Sequence, residues 1–294
     1  MTKYGLPYQG SKNSIAEWVI DHLPPADTLV DLMAGGCAVS HAALLSGKYK
    51  HVIANDITDT AFIFDAAMRG EMDGYATVLT RDEFHAVKAT DTLGSILYSF
   101  SNNREDYVYD ANLEQLITTA TSMVLAPSIH ERRIAYKRFI TMLDKHICAE
   151  GMVENNLKRL HSIERLERVQ ALSKIDTQAT FTPLQGDYRN VHIPRNAVVY
   201  IDPPYRGTRC DAYNGFDFDA FDAWLRTVPN LTIISEYTAP PECVEITHTQ
   251  KRVTAAPTNN TKKANEMLLV PARQLDQYKQ AMGLLYYPHK EREA

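Results

Sequence analysis

An apolar, β-branched run, Ala197-Val198-Val199-Tyr200-Ile201, stops on Asp202-Pro203-Pro204-Tyr205. A run of this kind reads as a central strand of a parallel sheet, and the prolines, which cannot donate to a ladder, end it there. Asp202, Pro203, Pro204 and Tyr205 then sit past the carboxyl end of a strand, where open α/β sheets bind ligands. A fixed carboxylate accepts two hydrogen bonds, the Pro203 carbonyl accepts another, and Tyr205 offers a flat face. That set suits a planar heterocycle carrying an exocyclic amine. A Pro-Pro turn that only ends a strand, with Asp202 capping a helix, fits the four letters equally well.

Further acids fall at similar places. Asp31 lies within Thr28 to Met33, a strand that runs into Ala34-Gly35-Gly36 and a helix. Asp56 follows the strand His51 to Ala54, and Asp187, in Gly186-Asp187-Tyr188, follows the strand Thr180 to Thr182. Gly35 and Gly36 allow close backbone approach to a ligand, and an acid at the tip of a second strand can accept both hydroxyls of a ribose. The Gly-x-Gly-x-x-Gly fingerprint of dinucleotide sites is absent. A tight turn and a solvated acid account for either feature alone. Acids gathered at one sheet edge, however, repel unless each has a ligand or partner, which points to a binding site.

These residues have to be positioned by the rest of the chain. Its 294 residues, 45% hydrophobic and 23% charged, allow one large α/β domain with a smaller one inserted. A helix with Ile15, Val19, Ile20 and Leu23 at helical spacing stops at Pro24-Pro25. Strand–helix alternation continues through a helix over Ile57 to Arg69 and then breaks down. Residues 70–175 read as mostly helical, with i, i+3/i+4 apolar spacing over Leu113 to Met123, His130 to Asp144 and Asn155 to Ala171, around an aromatic, turn-like stretch from Ile96 to Tyr109. The sheet resumes at Thr180. A helix over Phe218 to Leu225 precedes the strands Leu231 to Glu236, Val244 to Ile246 and Glu266 to Val270, and a short amphipathic helix follows from Gln274. The expected division is therefore 1–69 with 176–294 as one domain and 70–175 as an insert.

Composition narrows the function classes. Met1 to Gly10 lacks the apolar core of a secretory signal and no stretch is long enough to span a bilayer, so a cytoplasmic setting is expected. Cys37, Cys148, Cys210 and Cys243 are scattered, and the histidines lack metal-ligand spacing, so neither a disulfide frame nor a metal is expected. The net charge of −5 argues against indiscriminate polyanion binding. The charge is uneven: His130 to Lys174 carries ten Lys and Arg against six Asp and Glu, a local +4. Such a surface can hold phosphates on an otherwise acidic protein.

Taken in order, these segments resemble the DNA adenine-N6 methyltransferases of the Dam type, which use S-adenosylmethionine. Pro7-Tyr8-Gln9-Gly10-Ser11-Lys12 is similar to the family's N-terminal motif against the methionine end of the cofactor. Asp31-Leu32-Met33-Ala34-Gly35-Gly36 resembles its cofactor turn, with Met33 where Phe is usual, and Asn55-Asp56 resembles its ribose-binding acid. Gly186-Asp187-Tyr188 resembles the motif whose acid bonds the cofactor's adenine amine, and Asp202-Pro203-Pro204-Tyr205 matches the catalytic motif in full. Phe100-Ser101-Asn102-Asn103 is similar to a segment of phage-type members. The likeness covers about residues 5–60 and 180–270.

The resemblance implies a Rossmann-like class I methyltransferase sheet, a target-recognition insert, double-stranded DNA as partner, and a phage or restriction-modification setting. It implies Tyr8, Gly10, Ser11, Lys12, Asp31, Met33, Ala34, Gly35, Gly36, Asp56, Asp187 and Tyr188 on the cofactor. Lys12 is expected to meet the cofactor carboxylate or nearby acids. The chemistry agrees: the lone pair of an aromatic amine is shared with its ring, and the Asp202 carboxylate and Pro203 carbonyl would localise it toward a sulfonium methyl. A cytosine-N4, RNA or protein-glutamine methyltransferase, or a silent binding module, would share the same motif.

On the insert, Arg132, Arg133, Lys137 and Arg138 fall within two helical turns, and Lys158, Arg159, Arg165 and Arg168 within about three. Each set reads either as a phosphate-contacting face or as a solvated face laced with glutamates. Asn102, Asn103 and Arg104 could read base edges or build a turn. The polar loop Asn259 to Lys263 is a further DNA-contact candidate.

Overall fold

The computed structural model describes residues 4–146, 160–206, 215–254 and 261–284. Lys158, Arg159, Cys148, Cys210 and residues 155–159 of the expected third insert helix lie outside them. The chain divides into two compact units. One comprises Met1–Tyr4, Lys12–Ala61 and Asp176–Ala294, the other Gly5–Ser11 and Phe62–Ile175.

The first unit is built on a seven-stranded sheet among the described residues. Its strands are β1 (Thr28–Asp31), β2 (His51–Asp56), β3 (Thr180–Gln185), β4 (Val198–Ile201), β5 (Thr232–Glu236), β6 (Cys243–Thr254) and β7 (Thr261–Pro271). The order is β3-β2-β1-β4-β5-β7-β6. The first five are parallel, and β7 runs antiparallel to both β5 and β6. This is the Rossmann-like class I arrangement that the resemblance implies.

β4 is buried along its whole length, as its unbroken apolar letters require of a central strand. Val30, Val199, Ile201 and Ile234 of the sheet pack with Phe221 and Leu225 of the helix Phe218–Thr227, which Asp217 caps through the Ala220 amide at 2.9 Å. The helices α1 (Ala16–His22), α2 (Ala38–Ser46) and α3 (Thr60–Met68) complete the alternating part of the chain.

Two stretches differ from the sequence reading. The strand expected over Thr28 to Met33 ends at Asp31, because Leu32 and Met33 already belong to the turn. The strands read as Val244 to Ile246 and Glu266 to Val270 are the middles of a long antiparallel pair, bulged between Glu245 and Thr247. Thr261, Lys262 and Lys263, read as loop, lie in β7, and residues 259–260 fall outside the described set.

The second unit is helical. It contains α4 (Arg81–Val87), α5 (Thr92–Tyr98), α6 (Glu114–Leu125), α7 (Ile129–His146) and α8 (His161–Gln170). α4 and α5 escape the periodicity reading because each is only seven residues long. Their ends are nonetheless written locally: Thr80 and Glu83 form a reciprocal capping box, and Asp91 accepts from the Gly94 amide. The tyrosines of the aromatic stretch supply core, whereas Phe100 is exposed. Tyr98 donates to Thr77 O, Tyr107 to Leu79 O, and Tyr109 shares a 2.7 Å bond with Ser162.

Candidate active site

In a parallel sheet every carboxyl end reaches the same edge, and the register shows how far each acid projects there. Asp31 pairs with Ala54 of β2 and with Tyr200 of β4, so Asp56 and Asp202 each stand two residues beyond it. Asp56 pairs with Gln185, so Asp187 stands two further on again. Four acids from four adjacent strands therefore line one rim. β5 adds Glu236 and the antiparallel β7 adds Glu266. Met267 of β7 pairs with Glu236 at the end of β5, which delivers Glu266 to the same edge.

A cavity of about 310 Å³ opens at this rim. Its walls include Leu32, Met33, Asp56, Asp187, Tyr188 and Asp202. Asp56 holds the turn after β1 by accepting from the Gly35 amide at 2.9 Å, and it accepts from Thr58 N and Oγ1 at 2.9 and 2.8 Å. Gly35 has φ +48°, where a side chain would be strained. Cys37 takes the left-handed backbone as well, at φ +58°, just ahead of α2. Asn55 ties the neighbouring turns together: its side-chain amide donates to Leu32 O at 3.1 Å and to Gly186 O at 3.0 Å.

Asp31 is buried. One oxygen accepts from Ser40 Oγ at 2.6 Å and Ser40 N at 3.2 Å, and the other, Oδ1, has no hydrogen-bond partner among the described residues. Burial, reinforced by the Asp202 and Asp56 charges and only partly offset by Ser40, raises its carboxyl from 3.8 to about 7. Such a carboxyl binds a proton that the unfolded chain has released, so the stability linked to it falls as pH rises from 3.8 to about 7 and then levels. Asp31→Asn removes this dependence. In the cofactor-free protein the melting temperature of the variant, measured against wild type, should gain steadily across that window. A difference that stays constant with pH would refute the account.

Asp187 caps the turn Tyr188–Asn190 and is forked to the Arg189 guanidinium at 2.5 to 3.1 Å, which holds its carboxyl below the usual range. The cap and turn reading is thus realised beside whatever Asp187 binds. The Tyr188 ring packs against Phe216, Phe221 and Trp224.

At Asp202 the sequence reading needs its largest addition. Lys12 is buried, and its Nζ donates to both Asp202 oxygens at 2.7 and 2.6 Å. The contact with a nearby acid expected of Lys12 is made here. Glu266 Oε1 lies 3.6 Å from the same ammonium and accepts from Ser235 Oγ at 2.5 Å and from the Tyr205 hydroxyl. Burial beside Asp202 and Glu266 pushes the Tyr205 phenol well up, so it stays a donor. The Tyr205 ring meets Tyr237 edge-on at 4.3 Å and has Lys12 Nζ over it at 4.7 Å. Beyond it, Glu236 accepts from the Arg206 amide at 3.2 Å, and Arg206 pairs with Asp222, fixing the chain where it leaves the motif. Glu266, Ser235 and the Asn55 amide went unnoticed as site residues. The available signal for Glu266 is a lone acid heading the apolar run Met267 to Val270.

The remaining candidates lie in the second unit. Tyr8 is half-buried and accepts from the Ser11 amide at 3.3 Å, while Gly10 is exposed at φ +76°. Asn102 donates to Ile96 O at 3.1 Å, Asn103 bonds Glu105 N, Asp106 N and the Asp106 carboxylate, and Arg104 donates to Ser95 and Thr92. These three side chains build the turn. Arg132, Arg133, Lys137 and Arg138 are exposed on α7. Arg165 and Arg168 are not surface cations. Arg165 donates to Leu97 O and Ser99 O at 2.7 Å each, and Arg168 to Gly5 O at 3.0 Å, with burial lowering the latter's pKa to about 10. The phosphate reading of this pair gives way to an internal role.

Among the described residues no group of three or more His, Cys, Asp or Glu is placed to hold a metal ion, and no helix is long and apolar enough to cross a membrane.

The sheet order and the acid-lined rim define the class: a methyltransferase of the Rossmann-like kind. Residues 8–233 match the model of the D12 class N6 adenine-specific DNA methyltransferases, and the chain belongs to that family. It is 25% identical over 246 residues to the type II methyltransferase M2.HphI of Haemophilus parahaemolyticus, covering 74% of this chain and 70% of that one. Two solved structures of the rRNA methyltransferase aviRa from Streptomyces viridochromogenes align over 89% and 90% of the chain, and 84% of theirs, at 12% identity with TM-scores of 0.33 and 0.34. Family membership decides among the amine substrates the motif leaves open: the protein methylates the N6 amine of adenine in DNA, with S-adenosylmethionine as cofactor.

Proposed function

We propose that the Asp202 carboxylate and the Pro203 carbonyl accept the two hydrogens of an adenine amine that has been turned out of a DNA double helix at a specific sequence. The observation that carries this reading is the convergence of Asp31, Asp56, Asp187 and Asp202 on one sheet edge, the last three in the wall of a largely apolar cavity. The residues fit the cofactor. Asp31 Oδ1, buried with nothing to accept, suits an ammonium group. Asp56 and the Gly35–Gly36 turn suit a ribose, and Asp187 with Tyr188 suits an adenine ring. When bound, S-adenosylmethionine supplies a methyl group on a positively charged sulfur.

The protein's own contribution is alignment and electrostatics. Asp202 and Pro203 draw the amine hydrogens into their plane and turn the nitrogen lone pair out of the ring. Tyr205 and Pro204 wall the base. Extruding the base costs a few kcal/mol, offset in part by contacts with such walls. The segment 70–175 is assigned to target recognition, with the Arg132, Arg133, Lys137 and Arg138 face of α7 on phosphates, and 1–69 with 176–294 to catalysis. A cytoplasmic setting and a phage or restriction-modification role go with this reading.

Sequencing of DNA methylation after expression in a methylation-free host tests it, with N6-methyladenine expected at one short sequence. Methylated adenine scattered without sequence preference would overturn the specificity. Asp187→Ala should weaken cofactor binding in calorimetry by roughly tenfold to a hundredfold, the worth of a charge-assisted bond. Unchanged affinity would take Asp187 out of the cofactor site.

A further inference from the structure

We propose that Glu266 is a positioning residue which receives the Lys12 ammonium when the target amine takes Asp202, so that the site is held shut by its own lysine until a base arrives. The inference rests on the reading of Asp202 as the amine acceptor. Lys12 Nζ donates to both Asp202 oxygens, at 2.7 and 2.6 Å, and so occupies the group the amine needs. It also lies over the Tyr205 ring, so a single displacement clears acceptor and ring together. The Lys12 side chain is only 5% exposed against 23% for Asp202. Displaced without a second anion, it would leave a buried, unpaired charge, which is strongly unfavourable.

Glu266 supplies that anion. Its side chain is fully buried and Oε1 stands 3.6 Å from Nζ, outside bonding distance but one small swing away. Oε1 already accepts from Ser235 and Tyr205, whereas Oε2 is buried with no hydrogen-bond partner among the described residues. An orphaned carboxylate oxygen is costly unless something comes to fill it, and the displaced ammonium is the nearby donor able to do so. The pairing of β6 with β7, in which Glu266 faces Thr249, fixes the Glu266 backbone, while lysine's four-carbon stem makes the movement. The shift moves one side chain between two carboxylates.

A double-mutant cycle separates this role from simple packing. Glu266→Gln keeps an acceptor for Ser235 and Tyr205 but removes the charge, and Lys12→Met removes the cation. The reading is single-turnover transfer of labelled methyl from S-adenosylmethionine to saturating unmethylated genomic DNA. E266Q should slow transfer by roughly tenfold to a hundredfold, with cofactor affinity in calorimetry unchanged. In the K12M background the same change should cost less than about twofold. Equal losses in the two backgrounds would overturn the proposal and leave the role of Asp202 standing. A D202A variant that still transfers methyl at the wild-type rate would overturn both. Independently of how the variants fold, a crystal structure of the wild-type chain with S-adenosylhomocysteine and target duplex should show Nζ within about 3 Å of Glu266. Nζ still seated on Asp202 beside a docked adenine would refute the transfer.

Discussion

Replacing Asp202 with alanine should leave cofactor affinity within a few-fold of wild type while methyl transfer falls by at least about a hundredfold, the usual cost of removing one preorganised partner of the reacting group. The asymmetry follows from position. Asp202 is the acid nearest Lys12, whereas Asp31, Asp56 and Asp187 stand on the other three strands of the rim and remain in the variant. The fold should survive the change, because Lys12 keeps Glu266 as a counter-ion 3.6 Å away. Labelled-methyl transfer to unmethylated DNA, beside calorimetry with the cofactor, reads both quantities on one preparation. Transfer near the wild-type rate would remove Asp202 from the chemistry. Loss of cofactor binding in parallel would place it in the cofactor site instead.

The second large effect is on stability. Arg165→Ala should destabilise the helical unit by about 2 to 4 kcal/mol, since it withdraws a buried charged donor from the carbonyls that close α5 and leaves Leu97 O without that partner. Those acceptors are Leu97 O and Ser99 O at 2.7 Å, with Ile96 O at 3.4 Å. Urea denaturation measures the loss. The combined replacement of Arg132, Arg133, Lys137 and Arg138 by alanine should behave oppositely. Each is exposed, so stability should change little. DNA affinity should fall, and its dependence on salt should flatten by about 3 to 4 logarithmic units per decade if all four meet phosphates. An Arg165 variant that is as stable as wild type but has lost salt dependence would reverse the two assignments.

The contrast between these arginines marks where sequence reading stops. Spacing places Arg165 and Arg132 alike on helices, and no pattern of letters distinguishes a guanidinium under a helix end from one in water. The same holds for Asn102, Asn103 and Arg104, whose polar groups serve a turn with φ of 60° at Asn102 and 63° at Arg104. By contrast, much of the rim was readable, because the apolar runs of β2 and β4 lead directly to Asp56 and Asp202, while Asp31 and Asp187 lie within or shortly after strands that the letters also mark. Glu266 was not, since its approach depends on β7 running against β5, and direction is not written in the letters of either strand. The short helices α4 and α5 were missed for want of length, although Thr80, Glu83 and Asp91 had spelled out their caps.

Asn55 carries a mechanical consequence. One primary amide clasps the chain leaving β1, through Leu32 O, and the chain leaving β3, through Gly186 O, while its own backbone carbonyl takes the Ala34 amide at 2.8 Å. Loosening either turn costs a hydrogen bond from the same side chain, so the two segments assigned to opposite ends of the cofactor are tied at a single residue.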